Sequence, residues 1–167
     1  MRDRLQDVRP IVVGVNGSAV SVAALRWAVN EAERRHCPVD AVYVWQHEIA
    51  PTGLTAGEIV PARPEPDLRA EYLRMLAECV AAIGQRPGVD IRQVVLRGWG
   101  PGALVRYADT ASLLVVGGHG AGRLVEMLLG TVSSYCIRRA ACPVVVVPDA
   151  HRVPDTDPVP TSPRVAT

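Results

Sequence analysis

Five short apolar runs, separated by stretches with helical spacing, constrain this 167-residue chain more than any other feature. The runs are Ile11 to Val15, Val39 to Trp45, Ile91 to Leu96, Leu113 to Val116 and Val144 to Val147. Runs this short and this apolar read as strands covered on both faces. Ser18 is placed to cap the helix that follows the first run, where Val22, Leu25, Val29 and Ala32 recur at helical spacing. Leu68, Tyr72, Met75, Cys79 and Ile83 mark a second helix that stops at Gly84. Leu104, Val105 and Ala108 mark a short third one, and a fourth runs from about Thr131 to Ala140. The order β-α-β-α-β-α-β-α-β predicts an α/β fold, a parallel sheet with helices on both faces. The right-handed crossover rule leaves few topologies for it.

Proline placement divides the chain. Pro51, Pro61, Pro64 and Pro66 fall in one long loop, and Pro148, Pro154, Pro158, Pro160 and Pro163 in a C-terminal tail. The expected organisation is an N-terminal extension over 1–9, a single domain over 10–148 and a proline-rich, unstructured tail over 149–167. There is no Phe, so the core is expected to be Val, Leu, Ile and Ala. Lys and Arg total 18 against 17 Asp and Glu. That balance argues against broad electrostatic capture of nucleic acid or anionic membrane, though not against a local anion site. No apolar run approaches a membrane span, and the charged start carries no secretory signal, so a cytoplasmic protein is expected. Cys37, Cys79, Cys136 and Cys142 have no metal-site spacing and read as small packing residues.

In open parallel sheets, ligands bind beyond the carboxyl ends of the strands, where strand order reverses. Two of those ends are rich in glycine. Gly98-Trp99-Gly100-Pro101-Gly102-Ala103 matches G-x-G-x-x-A, but no acid ends the following strand, so it reads as a tight turn lining the same pocket rather than a dinucleotide site. The sharper segment is Gly117-Gly118-His119-Gly120-Ala121-Gly122-Arg123, followed by Gly130-Thr131-Val132-Ser133-Ser134. A glycine turn lets backbone N–H groups approach a phosphate, and a helix opening at Thr131 adds free N–H groups and a favourable dipole. Thr131 and Ser133 add hydroxyls, and Arg123 adds a local charge. The same residues also fit a flexible loop followed by an ordinary helix cap. The P-loop pattern G-x-x-x-x-G-K-[ST] is absent.

The spacing Gly117-x2-Gly120-x9-Gly130-Thr131 resembles the G-x2-G-x9-G-[ST] signature of the universal stress protein family, in its ATP-binding branch. Val13-Gly14-Val15-Asn16-Gly17-Ser18 resembles the family's opening V-G-V-D-G-S, and Cys142-Pro143-Val144-Val145-Val146-Val147 its closing C-P-V-L-V-V. The resemblance implies a Rossmann-like fold of the adenine nucleotide α-hydrolase type, with five parallel strands in the order 3-2-1-4-5. It implies ATP as ligand. Gly117, Gly120, Gly130, Thr131, Val132 and Ser133 would line the phosphates and ribose, and Asn16 and Val44 would face the nucleoside. Gly17, Gly98, Val116 and Arg123 would complete the surroundings. It also implies a homodimer through the edge strand Val144 to Val147, since an unpaired apolar edge is a liability unless covered. The family usually has Asp where Asn16 stands. Asn keeps one acceptor, loses the charge and would weaken any Mg²⁺ role.

No acid–base pair can be nominated as catalytic, and no G-x-S-x-G elbow is present. Binding is therefore expected, with hydrolysis slow at most. The rival readings are a dimeric interaction module without ATP and a binder of another adenylate such as a cyclic nucleotide. Trp45, at the end of the second strand, reads as packing, with stacking on a base as the alternative. His36, His47 and His151 read as surface residues, and His119 as part of the glycine loop.

Overall fold

The computed structural model describes residues 8–46, 64–118 and 130–149. Five strands form one sheet in the order β3-β2-β1-β4-β5. They are β1 (Ile11–Gly14), β2 (Val39–Trp45), β3 (Ile91–Arg97), β4 (Leu113–Gly117) and β5 (Val144–Val147). Every pairing is parallel, with Ile11 opposite both Val39 and Leu113. Four helices connect them: α1 (Ala19–Arg35), α2 (Glu65–Ala82), α3 (Gly100–Tyr107) and α4 (Thr131–Arg139).

The predicted fold class and strand order are the observed ones. The bounds of β2 and β5 match, while β1 ends a residue earlier than the apolar run, at Gly14. Helix α2 begins at Glu65, before the first apolar marker at Leu68, because its first turn is acidic and carries proline at a position where the missing N–H is harmless. The proline-rich loop lies largely, and the C-terminal tail almost wholly, outside the described residues.

Side chains alternate across the sheet, as the two-residue period of a strand requires. Ile11, Val13, Ala41 and Val115 face α1 and α2, and Val12, Val42, Leu114 and Val116 face α3 and α4. Helix α1 buries one stripe, Val20, Ala24, Leu25, Ala28, Val29 and Ala32, at helical spacing. Each fully buried Leu or Val contributes roughly 1.5–3 kcal/mol of transfer free energy. Cys37, Cys79 and Cys136 are buried and Cys142 is half-buried, all as free thiols. Burial raises all four thiol pKa values, that of Cys136 from 9.0 to about 11.

Candidate functional site

The order β2-β1-β4 puts the end of β1 between the ends of its neighbours, and a cleft opens there. It has an empty volume of about 640 Å³, including its open mouth. Its walls come from the ends of β1, β2 and β4 and from the first residues of α1, α3 and α4. Leu104, Val42 and Val116 supply an apolar floor, and no described lining residue carries a charge. Close approach explains the floor's shape. A Cβ on Gly14 would lie 3.0 Å from Leu104 Cδ2, and one on Gly117 would lie 2.7 Å from Val20 Cγ1.

The backbone beside the cleft is left open in two places. The β1–β2 ladder ends where the Val15 N–H donates to the Val42 carbonyl at 2.9 Å. Backbone groups alternate in direction along a strand, and Trp45 accepts from Gly98 N–H of the β3 side at 2.9 Å. Val44 therefore turns its N–H and C=O the same way as Val42, past the end of the ladder. The second opening is the N-terminus of α4. Its cap residue Gly130 makes no side-chain cap bond. Among the described residues nothing accepts from the N–H groups of Thr131, Val132 or Ser133, the first groups of the helix.

The glycine turn is braced from below. Gly118 N–H donates to Val147 O at 2.8 Å, and Gly130 N–H donates to Gly118 O at 2.7 Å. The buried Ser133 hydroxyl lies 3.0 Å from Gly130 O and 3.3 Å from Gly118 O. It therefore holds the two ends of the loop together instead of facing the cleft.

Asn16 is fixed by a side-chain turn. Its Oδ1 accepts from Ser18 N–H at 3.1 Å and from the Ser18 hydroxyl at 2.7 Å. Ser18 Oγ in turn accepts from Ser21 N–H at 3.2 Å, capping α1. The Ser21 hydroxyl donates to Ser18 O and accepts from Asn16 N–H. The acceptor that the sequence expects Asn16 to keep for a ligand is thus engaged within the chain.

Of the sequence-predicted residues, Asn16, Val44, Val116, Gly117 and Val132 line the cleft. Gly130, Thr131 and Ser133 stand at the adjoining helix end. Gly17 faces Met75 of α2, and Gly98 bonds to the end of β2 with its neighbour Gly100 taking the lining position. Gly120 and Arg123 lie outside the described residues, as does His119. Sequence reasoning missed Val42, Leu104 and Ser21 as lining residues. Val42 was within reach, since it shares a face with Val44 two residues on. Trp45 is 5% exposed and packs against Tyr72, with the Arg97 guanidinium 5.8 Å from its ring, so packing is the reading that holds.

The model of the universal stress protein family matches residues 7–148. The chain belongs to this family. A universal stress protein of Mycolicibacterium smegmatis is 36% identical over 140 residues, which are 83% of this chain and 45% of that protein. The chain thus spans less than half the length of that relative. A universal stress protein family member from Burkholderia pseudomallei superposes with a TM-score of 0.62 at 25% identity, over 86% of this chain and 98% of the other. A universal stress protein in complex with cAMP superposes with a TM-score of 0.58 at 26% identity, over 84% and 97% of the two chains.

Mg²⁺, left possible but weakened by Asn16 in the sequence, finds little among the described residues. The described lining has no carboxylate, and no group of three or more His, Cys, Asp or Glu residues is assembled among the described residues. The only side-chain amide oxygen in that lining, Oδ1 of Asn16, is already engaged. The described residues do not fit a protein-held metal.

Proposed function

We propose that this universal stress protein binds an adenine nucleotide, ATP included, and acts as a nucleotide-dependent regulatory protein of the cytoplasm. The observation that carries the reading is the pair of open backbone sites flanking one cleft whose described lining carries no charge. The N–H and C=O of Val44 offer a donor and an acceptor to a base edge. The free N–H groups at the start of α4 and the close-packed turn at Gly117 suit phosphate oxygens. An anion can be held this way without net basicity, which agrees with a formal charge of only +1. The relative holding cAMP supports an adenylate as the ligand class.

The unit that does this is read as 10–148, with 1–9 and 149–167 as appendages. All four residues of β5 remain half-exposed at the sheet edge. We read this edge as the place where a second copy pairs. The rival reading, a dimeric module without nucleotide, leaves the open Val44 and α4 groups without a role.

Calorimetric titration with ATP tests the reading. Heat of binding with a rise in melting temperature at millimolar ATP is expected. Neither signal with ATP or any other adenylate would reject nucleotide binding. Sedimentation of the same sample tests the dimer.

A further inference from the structure

The orientation of the Asn16 amide is fixed by chemistry. A backbone N–H can only donate, so the atom it meets, 3.1 Å from Ser18 N, must be Oδ1. The Ser18 hydroxyl, whose oxygen already accepts from Ser21 N–H, donates its proton to the same oxygen. Both interactions hold Oδ1 inside the turn. What Asn16 has left is Nδ2, with two N–H donors, and among the described residues none accepts from it. An aspartate in the same turn would keep the same bonds through one oxygen and present a second, anionic oxygen instead. At this one point Asn reverses the hydrogen-bonding polarity and removes a charge.

The strand order says which part of a ligand meets that point. Val44 stands at the end of β2, and Gly117 and the α4 N-terminus stand beyond β4. Asn16 follows β1, which lies between them. A nucleotide whose base is at β2 and whose 5′-phosphates are at β4 has its sugar over β1. We infer that Asn16 makes this site select adenylates carrying a phosphoryl oxygen on the 3′ edge of the sugar, cyclic or open, over those with a free 2′,3′-diol. A free diol offers the Nδ2 donors only neutral hydroxyl oxygens, and its two protons, which an acid would accept, find no acceptor on the Asn16 amide as oriented here. A phosphoryl oxygen is an anionic acceptor that the Nδ2 donors can bond and that an aspartate would repel. This deepens the adenylate reading and rests on it.

The test uses the whole chain and its Asn16→Asp variant, a near-isosteric change that keeps the turn. Each protein is titrated by calorimetry with 5′-AMP, adenosine 3′,5′-bisphosphate and 3′,5′-cyclic AMP, all of which keep a phosphoryl group on the 5′ oxygen. The wild type is expected to bind the two 3′-phosphorylated ligands more tightly relative to 5′-AMP. Asn16→Asp is expected to lower that ratio about tenfold or more, the scale of one charge-assisted hydrogen bond. Ser18→Ala removes one of the two bonds that hold Oδ1 and keeps the backbone one, and is expected to move the ratio the same way by a smaller factor. Circular dichroism confirms that each variant is folded. A ratio that stays within twofold in Asn16→Asp, while 5′-AMP still binds, overturns the inference and leaves the adenylate reading standing. Binding of no adenylate by the wild type removes that reading, and the inference falls with it.

Discussion

The two ends of the sheet are built to opposite rules. At the amino ends the strands are closed by hydrogen bonds. Ile11 N–H donates to Pro38 O, Val39 N–H to Asp90 O, Ser112 N–H to Pro10 O and Leu114 N–H to Pro143 O, at 2.9–3.0 Å. A buried carboxylate is held there too. Asp40, 4% exposed, accepts from the Tyr107 hydroxyl at 3.1 Å, and its Oδ1 lies 2.6 Å from Arg92 Nε. The second contact is Coulombic, since no donor is aligned on that oxygen. It joins two residues that are register partners across β2 and β3, while the Tyr107 bond ties the last turn of α3 to the sheet. At the carboxyl ends, Val44 and the first turn of α4 have backbone groups without a partner among the described residues, beside a cleft whose described lining carries no charge. One end closes its backbone groups internally and holds its buried carboxylate by a hydrogen bond and an ion pair. The other leaves backbone groups open among the described residues.

The largest effect is expected where the closed end is broken. Asp40→Ala removes an ion-pair partner and the acceptor of the Tyr107 hydroxyl, and leaves a small void. Arg92 is half-exposed and can turn to water, which limits the loss. A destabilisation of about 2–4 kcal/mol is expected, lowering the melting temperature by roughly 5–15 °C. Adenylate affinity should stay within about twofold. A collapse of affinity at temperatures where the variant is folded would show that the two ends are coupled through α3, whose first residue lines the cleft and whose last residue is Tyr107.

A titration reaches the packed layer between the ends. Burial holds the Cys136 thiol at about 11 instead of 9.0, so the folded state keeps its proton where the unfolded chain releases it. The stability that this linkage supplies is complete below about pH 9 and lost as pH rises through about 11. Two pH units correspond to roughly 2–3 kcal/mol. Cys136→Ala should flatten that part of the alkaline limb in chemical denaturation measured from pH 8 to 11. A limb that is unchanged in the variant would assign it to other groups with raised values, such as Tyr43 and Tyr107.

At the open end the order of effects should reverse, with binding more sensitive than stability. Gly117→Ala places a Cβ 2.7 Å from Val20 Cγ1 and 3.4 Å from the Val20 carbonyl carbon. Val20 in the first turn of α1 must shift, and Asn16 and Ser18 lead into that turn. Overpacking of this kind costs about 1–3 kcal/mol. Adenylate affinity is expected to fall more than tenfold in calorimetry. A stable variant with wild-type affinity would take the Gly117 turn out of the site.

How much of this was legible in the sequence follows from the range of each signal. Strand β5 is four valines between a proline at each end, and its bounds are readable from composition alone. Helix α3 is harder. Gly100-Pro101-Gly102 carries the letters of a turn, so Pro101 marks a helix start but the helix's extent rests on Leu104, Val105 and Ala108. For the cleft, some of the lining residues were readable, such as Asn16 and Val44, and the availability of their atoms was not. Asn16 is named by its place in a motif, yet which of its side-chain atoms is left unengaged depends on Ser18 two residues on and on the cap of α1. Val44 contributes backbone, and only the point where β1 stops pairing decides that this backbone is open. Both facts belong to the pairing of neighbouring segments, which residue type does not encode.

Ser133 carries the smallest effect and divides two roles that the sequence cannot separate. As a hydroxyl at the start of α4 it suits a phosphate ligand. In the fold it is 1% exposed, with its oxygen 3.0 Å from Gly130 O and 3.3 Å from Gly118 O. A hydroxyl with its proton held between two carbonyls has none to donate to a ligand. Ser133→Ala is therefore expected to cost about 1 kcal/mol of stability, the scale of one such bond. Affinity should drop only a few-fold, through slackening of the Gly118–Gly130 junction. The drop should be equal for 5′-AMP and 3′,5′-cyclic AMP, because no bond to either ligand is removed. Thermal denaturation alongside titration of the two ligands checks both figures. A large affinity loss with unchanged stability would mean that the hydroxyl turns outward on binding, and would move Ser133 from the bracing of the open end to its ligand-contacting surface.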